Sequence, residues 1–120
     1  MMRCFGYGLI MVVAFTQPFA AFANPDDSER EIQHLMDYIA GSDCRFIRNG
    51  KEYGAGEALK HLQGKYEYAG SRIDTAEDFI RYVATKSSMS GEPYKIRCDD
   101  QTILCADWLR AELARIRQQE

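Results

Sequence analysis

The stretch RFIRNGKEY at residues 45–53 decides the fold, because it carries a β-hairpin signal between two helical patterns. Its centre is the pair Asn49-Gly50, which favours a tight turn in which both residues have positive φ. β-prone residues flank this pair on both sides, as they do in hairpins whose strands pair directly across the turn. We therefore predict two short antiparallel strands here.

Helical periodicity surrounds this hairpin. Upstream, apolar residues from Ile32 to Ile39 recur at the spacing of one helical face. Ser28 and Glu31 have the spacing of a capping box, so we expect that helix to begin at Ser28. Downstream, helical spacing returns from Glu57 onwards.

The same order of elements follows in the second half of the chain. Thr75 is a predicted N-cap with acidic residues behind it, and apolar residues continue to Ala84. Residues 94–98 alternate as a strand, residues 99–101 turn, residues 102–104 return, and a helical pattern closes the chain. We predict a small single α+β domain in which about four helices pack on two β-hairpins.

Both halves are therefore predicted as helix, hairpin, helix. This similarity suggests a duplication in which the two hairpins pair into one antiparallel sheet. Chance similarity between two amphipathic patterns is the alternative, and the sequence leaves both open.

Residues 1–23 are typical of a secretory signal peptide. Arg3 precedes an apolar run at residues 9–15, and Ala21 and Ala23 occupy the positions that a signal peptidase reads. The run is well short of the roughly 20 apolar residues that a transmembrane helix needs. We predict cleavage after Ala23, a mature domain at residues 24–120 with no membrane span, and a periplasmic or secreted location.

The charge balance argues against two classes of partner. The chain has 15 Lys and Arg against 18 Asp and Glu, which gives a formal net charge of −3. A mildly acidic and well-mixed surface disfavours binding to nucleic acid and to anionic lipid heads. We expect a monomer or a weak dimer.

Three cysteines remain after the leader: Cys44, Cys98 and Cys105. Outside the cytosol thiols tend to pair, so one bridge is expected. A Cys44–Cys98 bridge would close most of the domain, whereas a Cys98–Cys105 bridge would join a local hairpin. The chain has no C-x-x-C or H-x-x-x-H spacing, so we predict no metal site and no cofactor.

Two sets of motifs resemble a known family. The first set is FIRNG at residues 46–50, Tyr53, EA at 57–58, HL at 61–62 and Lys65. The second set is TAEDFI at residues 75–80, SSMSGEPY at 87–94 and WL at 108–109.

Together these motifs resemble a family of small exported Gram-negative bacterial proteins that is known only as domain of unknown function number 5329. The resemblance implies a signal peptide, no assigned activity, and a bridge between Cys44 and Cys98. Family members more often carry a serine N-cap at the place of Cys105, so the state of Cys105 stays open: free, capped or dimerising.

The candidate binding residues cluster around the first hairpin, the second helical pattern and a serine-rich loop. They are Arg48, Asn49, His61, Lys65, Ser87, Ser88, Ser90 and Tyr94. Hydroxyls and backbone amides of the loop would suit an anionic or sugar ligand, although serines that bond their own turn would explain the same pattern. His34 lies off its helix's apolar stripe and is predicted to be exposed.

Three functions remain under consideration. The leading hypothesis is a non-catalytic module that binds an envelope protein or a small polar ligand through the hairpin and the serine loop. The alternative is a small hydrolase or transferase that uses a serine of the loop with His61. The third is a redox-responsive dimer through Cys105.

Overall fold

The computed structural model describes residues 25–119, so the predicted signal peptide at residues 1–23 lies outside the described residues. The elements are α1 (Pro25–Ala40), β1 (Arg45–Arg48), β2 (Lys51–Tyr53), α2 (Ala55–Ala69), a 3₁₀ turn (Gly70–Arg72), α3 (Ala76–Asp78) with a π-helical continuation (Phe79–Val83), β3 (Lys95–Cys98), β4 (Gln101–Leu104) and α4 (Cys105–Gln118). The α+β prediction is confirmed.

One antiparallel sheet in the order β2-β1-β3-β4 forms the centre of the domain. β1 pairs with β3 so that Phe46 lies opposite Ile96. Asn49 and Gly50 have φ values of 51° and 78°, as the predicted turn requires. The two hairpins therefore pair side by side in a single sheet.

The pairing register repeats along the chain. Phe46 pairs with Tyr53 in the first hairpin, and Ile96 pairs with Ile103 in the second. Positions 46 and 96, and positions 53 and 103, each differ by 50, and the helices that follow begin at residues 55 and 105. The shared spacing supports the duplication hypothesis for the hairpins and the helices that follow them. The halves diverge in their first helices, since α1 has 16 residues, whereas α3 has 3 and its π-helical continuation 5.

The core lies on the helix-covered face of the sheet. Phe46 and Ile96 are buried there, together with Leu35 of α1, Phe79 of the π-helical turn and Leu109 of α4. Burial of apolar side chains of this size contributes about 1.5–3 kcal/mol each. This packing holds α2 and α4 at fixed positions over the strands.

The start of α1 corrects one prediction. The helix begins at Pro25, and Ser28 lies inside it with 3% of its surface exposed, so the predicted capping box is wrong. Proline is favoured in the first turn because its fixed φ suits a helix and its missing N–H would have no helical partner. The Thr75 cap is confirmed, since Thr75 Oγ1 accepts a hydrogen bond from the Asp78 amide at 3.1 Å.

A disulfide joins Cys44 to Cys98 across 54 positions of sequence. It is the bridge implied by the family resemblance. No helix within the described range 25–119 has the length and apolar character needed to cross a membrane.

Candidate functional site

A groove of about 530 Å³ opens between α2 and the Arg48 end of β1. Its apolar wall comes from Phe46, Ala58, Leu62 and Cys105. Charged and polar side chains line the remainder: Arg48, Tyr53, Glu57, Lys60, His61, Tyr94 and Lys95. A ligand in this groove would therefore contact both an apolar surface and a group of cations.

Four of the candidate residues form a continuous hydrogen-bonded chain in and beside the groove. Arg48 Nη1 lies 3.3 Å from His61 Nδ1, and His61 Nε2 lies 2.9 Å from the Tyr94 hydroxyl. Lys65 Nζ donates to the same hydroxyl at 3.1 Å and to the Lys86 carbonyl at 2.8 Å. The sequence thus identified residues that the fold brings together from β1, α2 and the segment before β3.

The directions of these hydrogen bonds follow from the chemistry of arginine. A guanidinium only donates, so His61 Nδ1 must accept, and the neutral imidazole then carries its proton on Nε2. Nε2 donates to Tyr94, and Lys65 donates to the same oxygen. Tyr94 accepts both bonds, which leaves its own hydroxyl proton free to donate to a ligand.

Electrostatics keep the imidazole neutral. Burial lowers the pKa of His61, and the neighbouring Arg48 and Lys65 charges lower it further. Burial also lowers the pKa of Lys65, and Arg48 adds to that effect. The pKa of Tyr94 is raised, first by burial, so its hydroxyl stays protonated.

The cations of the groove have no acidic partner in the described part of the chain. Among residues 27–119, no carboxylate lies within 4.0 Å of the Arg48 guanidinium or the Lys65 ammonium. Glu57 lines the groove but makes no such pair. Arg48 and Lys65 are half-buried and bond neutral groups instead of carboxylates, so this cluster differs from an ion-pair network.

The serine loop forms a separate structure. Ser87 is 4% exposed, and its hydroxyl accepts hydrogen bonds from the amides of Met89 and Ser90, both at 3.3 Å. The Ser90 hydroxyl donates to Asn49 Oδ1 and accepts from the Glu92 amide at 3.2 Å. These contacts close the turn and tie it to the first hairpin, while Ser88 is exposed. The loop supports the groove mainly through the Lys65–Lys86 bond.

The buried carboxylate of Glu112 was not predicted from the sequence. Glu112 is 4% exposed, and it accepts two hydrogen bonds from Arg115 at 2.7 Å and contacts His34 Nε2 at 2.7 Å. The His34 side chain keeps 41% of its surface exposed, so the predicted exposure holds in part, but its ring is bonded to α4, a contact that was not predicted. Leu109, Glu112 and Leu113 have helical spacing on one face, which is the signal that would have found this residue.

Cys105 is the free cysteine of the described residues and lies at the start of α4. It is 1% exposed, and burial raises its pKa to about 12. A thiol that is both shielded and protonated is a poor partner for an intermolecular bridge, so the structure gives no support to a dimer through Cys105.

A second cavity, of about 630 Å³, lies at the disulfide end of the sheet. Tyr38 stacks on Trp108 there with ring centroids 4.4 Å apart, and Trp108 also meets the edge of Phe46. Across residues 25–119, no three or more His, Cys, Asp or Glu side chains are grouped to hold a metal ion.

The chain was compared with known protein families, with curated proteins and with solved structures. A model described as a family of unknown function (DUF5329) matches residues 26–117. The uncharacterized protein YfeK of Salmonella typhimurium strain LT2 is 40% identical over 85 residues, which cover 69% of this chain and 71% of that protein. No solved structure matches the chain significantly.

Proposed function

Since the chain belongs to the DUF5329 family, whose function is unknown, we propose on the geometry of its groove that it is a non-catalytic binding module of the cell envelope. The groove between α2 and β1 takes an anionic group. The observation that carries this proposal is the set of hydrogen-bond donors at the groove: Arg48 and the Tyr94 hydroxyl line it and Lys65 lies beside it, and neither cation has an acidic partner among the described residues.

The donors make the groove selective for negative charge. A guanidinium and an ammonium offer only donors. The Tyr94 oxygen already accepts hydrogen bonds from His61 and Lys65, so it can only donate to a ligand. Hydrogen bonds from charged donors contribute about 1.5–3 kcal/mol each, and more where water is excluded. An anion therefore supplies what the groove lacks.

Two observations support the envelope location. Residues 1–23 have the charge, length and cleavage signals of a secretory leader. The Cys44–Cys98 disulfide belongs to an oxidising compartment. Expression of the full chain in a Gram-negative host should give a periplasmic protein that begins at Asn24 and contains one disulfide. A product that retains Met1 and carries only reduced thiols would contradict the location.

A thermal-shift screen of organic anions tests the binding role. Wild type, Arg48→Met and Arg72→Met are compared, because Arg72 is exposed and does not line the groove. At least one anion should raise the Tm of wild type and Arg72→Met but not that of Arg48→Met. Equal shifts in all three proteins, or no shift from any anion, would contradict the proposal.

The hydrolase alternative receives no support from the geometry. Both ring nitrogens of His61 are engaged, by Arg48 and by Tyr94. The Ser87 and Ser90 hydroxyls bond within their own loop and to Asn49. A serine-directed covalent probe should therefore leave Ser87, Ser88 and Ser90 unlabelled.

A further inference from the structure

We propose that the ligand of the groove is a small monocarboxylic acid with an apolar body, whose carboxylate is held by Arg48, with the Tyr94 hydroxyl as a further donor in the groove. This inference rests on the proposed function, since it names the chemical class of the anion. It follows from the number of donors that remain free, from the shape of those donors, and from the apolar wall beside them.

The free donors belong mainly to Arg48. Its guanidinium has five N–H groups, and one contact, to His61, uses a terminal nitrogen. Lys65 has three N–H groups, of which two are committed, to the Lys86 carbonyl and to Tyr94. The guanidinium fork is therefore the main anion contact.

The Arg48 fork is also held in place. Its guanidinium carbon lies 5.9 Å from the centre of the Tyr53 ring, and Nη1 is fixed by His61. A fixed planar fork matches the two oxygens of a carboxylate, which accept two parallel N–H bonds. The Tyr94 hydroxyl, on a residue that is only 6% exposed, adds one donor.

A doubly charged or tetrahedral anion fits less well. Glu57 in the lining repels an anion while Lys60 and Lys95 attract one, so the choice between anions rests on the number of anionic oxygens that the groove can satisfy. The apolar wall of Phe46, Ala58 and Leu62 cannot solvate additional anionic oxygens. A carboxylate has two oxygens, both of which a guanidinium fork can bond, so it leaves no further anionic oxygen against this wall.

The same apolar wall selects the remainder of the ligand. A hydrocarbon body against Phe46, Ala58 and Leu62 would gain about 25 cal/mol for each Å² removed from water. The volume of about 530 Å³ lies in the usual range for small-molecule sites. The groove therefore suits an acid with an aliphatic or aromatic body better than a small hydrophilic acid.

Calorimetric titration of the mature protein tests this class of ligand. The probes are decanoate, acetate, decyl phosphate and decanol, which separate the head group from the chain. We expect decanoate to bind at least about tenfold more tightly than the other three, because each of them lacks one of the required features. An N-acetylated tetrapeptide with a free C-terminal leucine offers the same chemistry on a peptide and should bind more weakly than decanoate.

Three variants locate the contact. Arg48→Met should weaken decanoate binding by about tenfold to hundredfold, and Tyr94→Phe by about tenfold, as expected for charge-assisted and hydroxyl hydrogen bonds. Arg72→Met should bind as wild type does. If Arg48→Met fails to fold, the NMR signal of the His61 ring in wild type serves instead, because decanoate at the fork should shift it and decanol should not.

The outcomes separate this inference from the proposed function. Tighter binding of decyl phosphate, acetate, decanol or the peptide would overturn the apolar monocarboxylate, while binding of any anion that depends on Arg48 would keep the anion-binding role. If no anion binds, both proposals fall.

Discussion

Residues 45–47 of β1 pair with residues 95–97 of β3, and the two ends of this pair differ. One position beyond the pairing at one end, Cys44 lies opposite Cys98 and is bonded to it. One position beyond it at the other end, Arg48 lies opposite Tyr94. The repeat spacing of 50 makes these ends equivalent, since 44 corresponds to 94 and 48 to 98. We call the Cys44–Cys98 end the closed end, because a disulfide joins it. We call the Arg48–Tyr94 end the open end, because Arg48 there has no acidic partner among the described residues.

The helices that cover the two ends also differ in the side chains they contribute. Over the closed end, α4 provides Trp108, stacked on Tyr38, and the buried Glu112, bonded to Arg115. Over the open end, the corresponding positions of α2 are Ala58 and Leu62, and His61 joins the chain of donors. The disulfide and the buried Glu112–Arg115 ion pair thus lie at the closed end, and the Arg48–His61–Tyr94 chain lies at the open end.

Removing the Cys44–Cys98 disulfide should have the largest effect on the free energy of unfolding. Replacing Cys44 and Cys98 by alanine removes a crosslink that spans 54 positions, and the loop-entropy estimate gives a loss of about 4 kcal/mol in the free energy of unfolding. Urea denaturation of the oxidised wild type and the double variant measures it. A loss below about 1 kcal/mol would contradict a stabilising role for this end.

The Glu112 carboxylate should make the closed end sensitive to acid. Hydrogen bonds from Arg115, with a further contribution from His34, lower the pKa of Glu112 to about 2. A depressed folded-state pKa adds stability that is present above the unfolded pKa and is lost as the pH falls towards 2. We expect a loss of about 2 kcal/mol between pH 5 and pH 2, reduced by solvent screening of the exposed partners.

Glu112→Gln is the matched control for this pH dependence. It keeps the shape of the side chain and removes the charge, so it should be less stable than wild type at pH 7 and approach it at pH 2. Parallel stability curves for the two proteins between pH 5 and pH 2 would show that this carboxylate does not titrate as described.

Within the serine loop, Ser87 should contribute to stability and its neighbour Ser88 should not. Ser87→Ala removes the acceptor of two backbone amides, for an expected loss of about 1 kcal/mol. Ser88→Ala, at an exposed position, should change stability by less than about 0.5 kcal/mol. Equal effects of the two substitutions in urea denaturation would refute this division.

Arg48→Met should leave stability within about 0.5 kcal/mol of wild type, since the guanidinium has no acidic partner to lose among the described residues. The same change should raise the pKa of His61, because Arg48 is one of the charges that lower it. An NMR pH titration of the His61 ring measures both proteins. An unchanged midpoint would mean that the two side chains are not neighbours in solution.

Local chemistry explains which features were predictable. The first turn was predictable because Asn49 and Gly50 both tolerate positive φ. The start of α3 was predictable because the Thr75 hydroxyl can accept a hydrogen bond from the first turn of the helix. The approach of Arg48, His61 and Lys65 was expected in part, because His61 and Lys65 are one helical turn apart. The bond between His61 and Tyr94 depends on strand pairing across 33 positions, and residue spacing alone does not specify such a contact.

The failures have a similar physical origin. Ser28 matches a capping box, but the helix begins one turn earlier, at Pro25. The spacing of Ser28 and Glu31 does not show which of the two possible starts the helix takes. Glu112 and His34 meet across 78 positions, where burial of a charge is decided by tertiary packing.

The most direct measurement is an amide chemical-shift titration of the ¹⁵N-labelled mature protein with decanoate. We expect the shifts to concentrate at the open end, in residues 46–48, 58–62 and 94. Shifts that concentrate around Cys44, Cys98 and Trp108, or that are spread evenly over the domain, would contradict it.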